Sequence, residues 1–512
     1  MSDTPPMPTG RASLLCVASG ILYFLTFLNF DLFPLIWVAY VPVLLAVRGT
    51  TPKRALLLGT LFGAVTNLGG YYWVVHTIQT FGSLPFLVAA AGYVVLCIYQ
   101  GFLLALALVC VRYGERIGIA PVWSFPVALA ALEVVYPLLF PTYIGNSQLE
   151  FHAITQIVEI TGMAGLTLLI GFVNGAIYEV LTARSEARRL AIPRVCVPAA
   201  LFALCVTYGL IRLPQIDARS AAAPKLTVGL VQTNIGAQAK ASDPEEFVER
   251  HRAMSRALVA RRPDVELIVW PESAYNQLLR REQRSVADQV TADLGRPLLF
   301  GALTIGYQED GSRQIFNSLL LASERGEVRG VYDKIELLVF GETYPFSATL
   351  PFLDRVFGTN WFARGTSLRH LSLNGFSLLP TICYEDLSAS LVRRMWRTAG
   401  PASALVNGTN DSWYGDTHQP MEHLAVAAFR SIETRRALIR STNTGISAIV
   451  DPAGRIAHRT AQWEPDVLVA DVPMIDDGSS TIYMKIGNVT GWTCVVLTLL
   501  GLWRARRATI EN

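Results

Sequence analysis

Three short segments of this chain end in side chains able to do covalent chemistry. Leu267-Ile268-Val269-Trp270-Pro271-Glu272 ends in a carboxylate, Val331-Tyr332-Asp333-Lys334 in an ammonium and Leu379-Pro380-Thr381-Ile382-Cys383 in a thiol. Each is an apolar, β-branched run of the kind that forms a strand. In layered α/β folds, reactive groups gather at strand ends. Taken singly the signals are weak, because a Glu after Trp-Pro ordinarily caps a strand and a Lys after Tyr-Asp ordinarily faces water. Together they make a coherent catalyst. A thiolate attacks, a neighbouring cation lowers its pKa, a carboxylate takes and returns protons, and the ammonium holds a developing oxyanion.

The elements that must position these groups lie in a region of ordinary texture, about 221–484. Further strands are expected at Leu226–Gln232, Leu298–Ile305, Ser318–Ala322, Ala404–Asn407, Ala448–Asp451 and Val467–Val472. Helical patterns run from Asp243-Pro244-Glu245-Glu246 to about Arg261, over about Glu282–Leu294, over Ser388–Thr398 and over Gln419–Arg436. Strands alternating with helices, then hairpins, predict a layered α/β sandwich.

The rest of the chain is different. Over 512 residues, 52% are hydrophobic and only 16% charged, against the roughly 25% charged of a soluble domain. Apolar stretches at about 12–29, 32–47, 55–75, 84–111, 121–140, 153–182 and 194–213, and an eighth over Ile486–Trp503, predict eight membrane spans. Thirteen Lys and Arg lie at one set of ends (Arg11; Arg48, Lys53 and Arg54; Arg112 and Arg116; Arg184, Arg188, Arg189 and Arg194; Arg504, Arg506 and Arg507), and the opposite short loops carry none. This asymmetry places both termini in the cytoplasm and residues 221–484 outside. The expected organisation is a membrane domain over 1–220, an extracytoplasmic domain over 221–484 and a terminal span with a basic tail over 485–512. A net charge of +3 argues against a nucleic-acid binder. Six of the seven cysteines lie in apolar runs. Cys383 is left without a disulfide partner in an oxidising compartment, which suggests that it is used.

These three segments resemble the Glu–Lys–Cys signature of the nitrilase superfamily, an αββα sandwich. With spans on both sides, the chain resembles the apolipoprotein N-acyltransferase family over nearly its whole length. Asn410-Asp411-Ser412-Trp413-Tyr414-Gly415 and the run Arg436 to Gly445 also match. The resemblance implies that Glu272 is the general base, Lys334 the oxyanion-stabilising lysine and Cys383 the nucleophile. It makes Glu342 a supporting glutamate, with Tyr384 and Glu385 flanking the nucleophile. Leu338-Val339-Phe340-Gly341-Glu342 lacks a proline that the family usually carries. The implied reaction is ping-pong. A fatty acyl chain passes from a phospholipid, such as phosphatidylethanolamine, to the cysteine. It then passes to the N-terminal amine of a diacylated apolipoprotein, in a bacterial inner membrane with the catalytic domain in the periplasm. The competing reading is a membrane-tethered C–N hydrolase (an amidase) that uses water with the same three residues.

Both substrates would be lipids, and extracting one costs roughly 0.8 kcal/mol per exposed CH₂. A site opening toward the bilayer avoids that cost. The aromatic run with Phe340, Tyr344, Phe346, Phe357 and Trp361 is a candidate lipid-contacting arm. Glu133 and Glu159 sit in apolar spans and are expected to bond between helices. His418 and His423, at i and i+5, do not align as metal ligands, and no metal or cofactor is expected. A monomer meets every requirement of this reading.

Overall fold

The computed structural model describes residues 5–82, 84–183, 188–236, 244–291, 293–307, 311–338, 342–343 and 362–510. They form two compact units, one of Met1–Gln215 with Thr481–Asn512 and one of Ile216–Ser480. The first dividing point falls inside a continuous helix, Arg188–Ala222.

The first unit is helical. Among its described residues, five segments are long and apolar enough to cross a membrane: Thr9–Leu28, Phe30–Val47, Phe86–Arg116, Met163–Thr182 and Ile192–Ala222. Beside them lie helices Pro52–Gly70, Pro121–Val135 and Val489–Ile510. Pro52–Gly70 and Phe86–Arg116 cross at Gly63 and Gly101, where a Cβ on either would strike the other's backbone. Small residues permit this close approach, which substitutes for a hydrophobic drive inside lipid. The 30–47 run is not one helix. It breaks into a 3₁₀ turn, Phe30–Leu35, and short helices Ile36–Ala39 and Val41–Val47. Buried Asn174 satisfies the break, donating to Ile36 O (2.9 Å) and accepting from Tyr40 N (2.9 Å). Irregular backbone in an apolar setting needs such a partner. Glu133 and Glu159 also serve structure. Glu133 accepts from Ile144 N (2.9 Å) and Thr167 Oγ1 (2.5 Å), while Glu159 pairs with Arg212 (2.7 Å) and with Tyr208.

The second unit is an αββα sandwich. Its strands are β1 (Lys225–Gln232), β2 (Leu267–Val269), β3 (Tyr275–Arg280), β4 (Leu298–Tyr307), β5 (Arg313–Ala322), β6 (Val328–Asp333), β7 (Leu371–Leu373), β8 (Phe376–Ile382), β9 (Ala404–Thr409), β10 (Leu438–Thr442), β11 (Ala448–Val450), β12 (Ile456–Arg459) and β13 (Asp466–Pro473). One sheet runs β13-β1-β2-β4-β5-β6, with β3 also on β4, and the other runs β12-β11-β10-β9-β8-β7. Parallel pairs (β1 with β2, β2 with β4; β8 with β9, β9 with β10) occupy the middle of each sheet. Such strands are covered on both faces, and they read as continuous apolar runs. The sheets bond across their interface through Ser441 to Val269 O (3.2 Å) and Thr442 to Gln232 (3.0 Å). Helix Pro244–Arg261 covers the first sheet, placing Val248 and Leu258 against Ile268 and Phe300. Helices Ala389–Ala399 and Gln419–Thr434 cover the second.

One expected helix is absent. Among the described residues of 282–294 there is only a single π-helical turn, Ala287–Thr291, after strand β3. The backbone just before it is already committed, because Val286 N donates to Gly326 O and Arg284 O accepts from Val328 N (both 2.8 Å). Pairing with the β5–β6 hairpin overrides the local amphipathic pattern. The candidate arm residues Phe340, Tyr344, Phe346, Phe357 and Trp361 lie outside the described residues.

Candidate active site

Glu272, Lys334 and Cys383 follow strands β2, β6 and β8, and the fold brings all three together. Lys334 Nζ lies 3.4 Å from Glu272 Oε1 and within 2.9 Å of Glu342; Lys334 and Glu272 are buried, and the Glu342 side chain is 12% exposed. Cys383 is 5% exposed and interacts electrostatically with both Glu272 and Lys334. Burial and the Glu272 charge push the thiol well above its ordinary pKa, against the pull of Lys334. The resting sulfur is therefore protonated and needs a base. Burial pushes Lys334 down, but Glu342 and Glu272 push it up and win, so it stays an ammonium. Glu342 is the reverse: burial raises it, yet Lys334 and the Leu338 N–H hold it below the usual carboxylate range. Moving a proton from Cys383 to Glu272 shifts negative charge from one neighbour of Lys334 to another. The ammonium attracts the negative charge in both arrangements, which offsets part of the cost that burial sets on the thiolate.

The backbone is strained beside these groups. Cys383 has φ +53° and Ser273, next to Glu272, has φ +50°. Non-glycine residues in the left-handed region cost roughly 1–3 kcal/mol each and persist only where surroundings enforce them. At Cys383 the enforcing contacts are visible. Asn407 Nδ2 donates to Cys383 O (3.1 Å) and to Thr381 Oγ1 (3.1 Å). Buried Glu385 accepts from Ile382 N (2.8 Å) and Tyr332 Oη (2.9 Å), and from Ile335 N (2.6 Å) and Glu336 N (2.9 Å). A single carboxyl thus ties the turn bearing Cys383 to the segment just beyond Lys334, joining the ends of strands from both sheets. Tyr384 stacks on His423 (4.7 Å, 24°) and accepts from Gln419 Nε2 (2.8 Å).

Asn317 on β5 was not singled out by its sequence. Its Nδ2 donates to Glu272 Oε1 (2.7 Å) and Glu342 Oε1 (3.1 Å), while its main-chain oxygen accepts from Lys334 N (2.8 Å). It fixes the Glu272 carboxylate next to Lys334. The available signal was a polar pair, Asn317-Ser318, inside an otherwise apolar strand.

Residues 19–176 match the family model of the apolipoprotein N-acyltransferase N-terminal domain, and residues 227–477 match that of carbon-nitrogen hydrolase. An apolipoprotein N-acyltransferase of Geobacter metallireducens is 33% identical over 97% of this chain and 95% of its own. The chain belongs to the apolipoprotein N-acyltransferase family. A second member, from Bdellovibrio bacteriovorus, is 27% identical over 94% of this chain and 91% of its own. Among solved structures, a carbon-nitrogen hydrolase from Helicobacter pylori is similar over 49% of this chain and 90% of its own, at 13% identity and a TM-score of 0.38. Membership of the apolipoprotein N-acyltransferases makes this chain an N-acyltransferase acting on lipoproteins, with a nitrilase-like catalytic unit.

Proposed function

We propose that Cys383 carries the acyl group, Glu272 moves the protons and Lys334 holds the oxyanion. Glu272 takes the thiol proton as the sulfur attacks the ester carbonyl of a phosphatidylethanolamine-like donor. Lys334 stabilises the tetrahedral intermediate, and Glu272 returns the proton to the departing lysophospholipid oxygen. In the second half, Glu272 takes a proton from the N-terminal amine of the diacylated apolipoprotein as it attacks the thioester, and the thiol is regenerated. Glu342 and Asn317 hold Lys334 and Glu272 in place; Tyr384 and Glu385 hold the Cys383 turn. The observation that carries this reading is the Lys334–Glu272 pair beside the buried Cys383 thiol.

The chain crosses the bacterial inner membrane eight times as a monomer, with the catalytic unit, residues 221–484, in the periplasm and both termini inside. The aromatic run that includes Phe340, Tyr344, Phe346, Phe357 and Trp361 meets lipid. Support comes from the apolar segments and the one-sided distribution of Arg and Lys.

The test is mass spectrometry of the full-length protein after incubation with phospholipid. A fatty-acyl mass on the Cys383 peptide, discharged by a diacylated lipopeptide and missing in Cys383→Ala, is expected. Free fatty acid released at a comparable rate without any amine acceptor would favour the hydrolase instead.

A further inference from the structure

Behind the nucleophile lies a ring of four buried ionisable side chains that the reaction scheme does not use. His423, on helix Gln419–Thr434, places Nδ1 3.0 Å from Asp411 Oδ1 and Nε2 3.0 Å from Asp386 Oδ1. Arg440, on β10, closes the ring by bonding Asp386 Oδ2 and by approaching Asp411 Oδ2 at 3.3 Å. Each of the four side chains is at most 2% exposed. Asp386 follows Cys383 by three residues, and the His423 ring stacks on Tyr384, the residue after the nucleophile.

An ionised carboxylate only accepts hydrogen bonds, and a neutral imidazole has a single N–H. A neutral His423 would aim a bare nitrogen at a carboxylate oxygen across 3.0 Å. Only the imidazolium donates to both acids at once. With that charge, two anions and two cations alternate around the ring and the buried set is neutral. Without it, one negative charge is left buried and uncompensated, which is costly. The electrostatic balance agrees. Burial and Arg440 push the His423 pKa down, Asp386 and Asp411 push it up, and the net direction is up. Tyr384, Tyr414 and the Cys383 thiol also interact with this ring, and burial pushes each well above its ordinary range, so they are uncharged.

We infer that His423 is a permanent imidazolium that positions the nucleophile: its charge locks Asp386 and Asp411, and its face supports Tyr384, so that Cys383 stays in its left-handed turn. His423 touches no reacting atom and acts through the turn. The inference rests on Cys383 being the acyl carrier, so its test keeps the two apart.

The full-length protein labelled with ¹⁵N at its seven histidines gives the charge directly, and the His423→Gln spectrum identifies the signal. Two protonated ring nitrogens at pH 7–8 are expected; the pattern of a neutral tautomer would overturn the inference. In single-turnover acylation with phosphatidylethanolamine micelles, His423→Gln should slow thioester formation by about 100-fold. That is the order of loss from misplacing reacting atoms by about 1 Å. KM for the phospholipid should stay within a few-fold. Glutamine leaves one carboxylate oxygen without a donor and the ring one charge short. His423→Gln combined with Asp411→Asn restores neutrality and gives every polar group a partner, so it should recover most of the rate. A double variant no faster than the single one, or a single variant as fast as the parent, overturns the inference. If the single variant does not fold, the double variant's spectrum identifies the His423 signal, and the nitrogen signals of the parent protein decide. Cys383→Ala is run in parallel: thioester formation surviving there refutes the Cys383 reading, while the nitrogen signals report on His423 regardless.

Discussion

A carboxylate that is buried and surrounded by donors has two opposed tendencies, and Glu385 displays both. Its four donors suit the ionised form, yet burial dominates and pushes its pKa up to about 7 from an ordinary 4.5. The folded protein therefore binds this proton more tightly than the unfolded chain does. The resulting stability is full below about pH 4.5 and is lost as pH rises through about 7. Glu385→Gln should remove that slope, read as the thermal midpoint between pH 5 and 8; an unchanged slope would contradict the assignment. The same variant turns an amide NH₂ toward backbone N–H groups that now lack an acceptor, at about 1–3 kcal/mol for each group left unpaired. It should thus be less stable than the parent at pH 8 and lose acylation, because the Cys383 turn loses its tie to the segment after Lys334. Cys383 makes the complementary point. Its thiol is held protonated by burial and by Glu272, so its reactivity belongs to the group of residues and not to the sulfur alone.

At the scale of elements, the site depends on two strands coming unusually close to the segment that carries Glu272. Gly301 on β4 and Gly408 on β9 approach it from the two sheets. A Cβ on Gly301 would lie 2.6 Å from Glu272 Cα and from Pro271 O, both main-chain atoms that cannot step aside. On Gly408 it would lie 2.9 Å from Leu319 Cδ2, a movable side-chain end, and 3.4 Å from Glu272 N. Gly301→Ala should therefore cost the order of 100-fold in the acylation rate by shifting Glu272. Gly408→Ala should cost about 1–3 kcal/mol of stability, the usual penalty of overpacking, with a smaller loss of rate. Single-turnover acylation beside chemical denaturation checks both; a Gly408→Ala defect larger than that of Gly301→Ala would reverse this account. The 282–294 stretch belongs at this scale too. Its amphipathic pattern is helical, but hydrogen bonds to a hairpin some forty residues later leave room for only one turn.

For the whole molecule, the proposed topology gives a direct prediction. In intact cells Asp31→Cys, at the end free of basic residues, should react with a membrane-impermeant maleimide, whereas Lys53→Cys should react only after permeabilisation. The opposite pattern would invert the chain. Much of this was legible in the amino-acid order. Apolar length, one-sided Arg and Lys, and β-branched runs ending in Glu272, Lys334 and Cys383 are local properties, set by what each segment can bury and what each side chain can donate. The helix at Pro244–Arg261 begins and ends where its early acids and periodicity indicate. Other features needed the folded chain. Asn317 between two glutamates, Glu385 reaching back some fifty residues to Ile335, the positive φ of Cys383 and the ring around His423 arise from residues far apart in sequence. A side chain's type is written in the sequence, but its partners and its charge state are set only when burial removes water and leaves those partners as its remaining solvent.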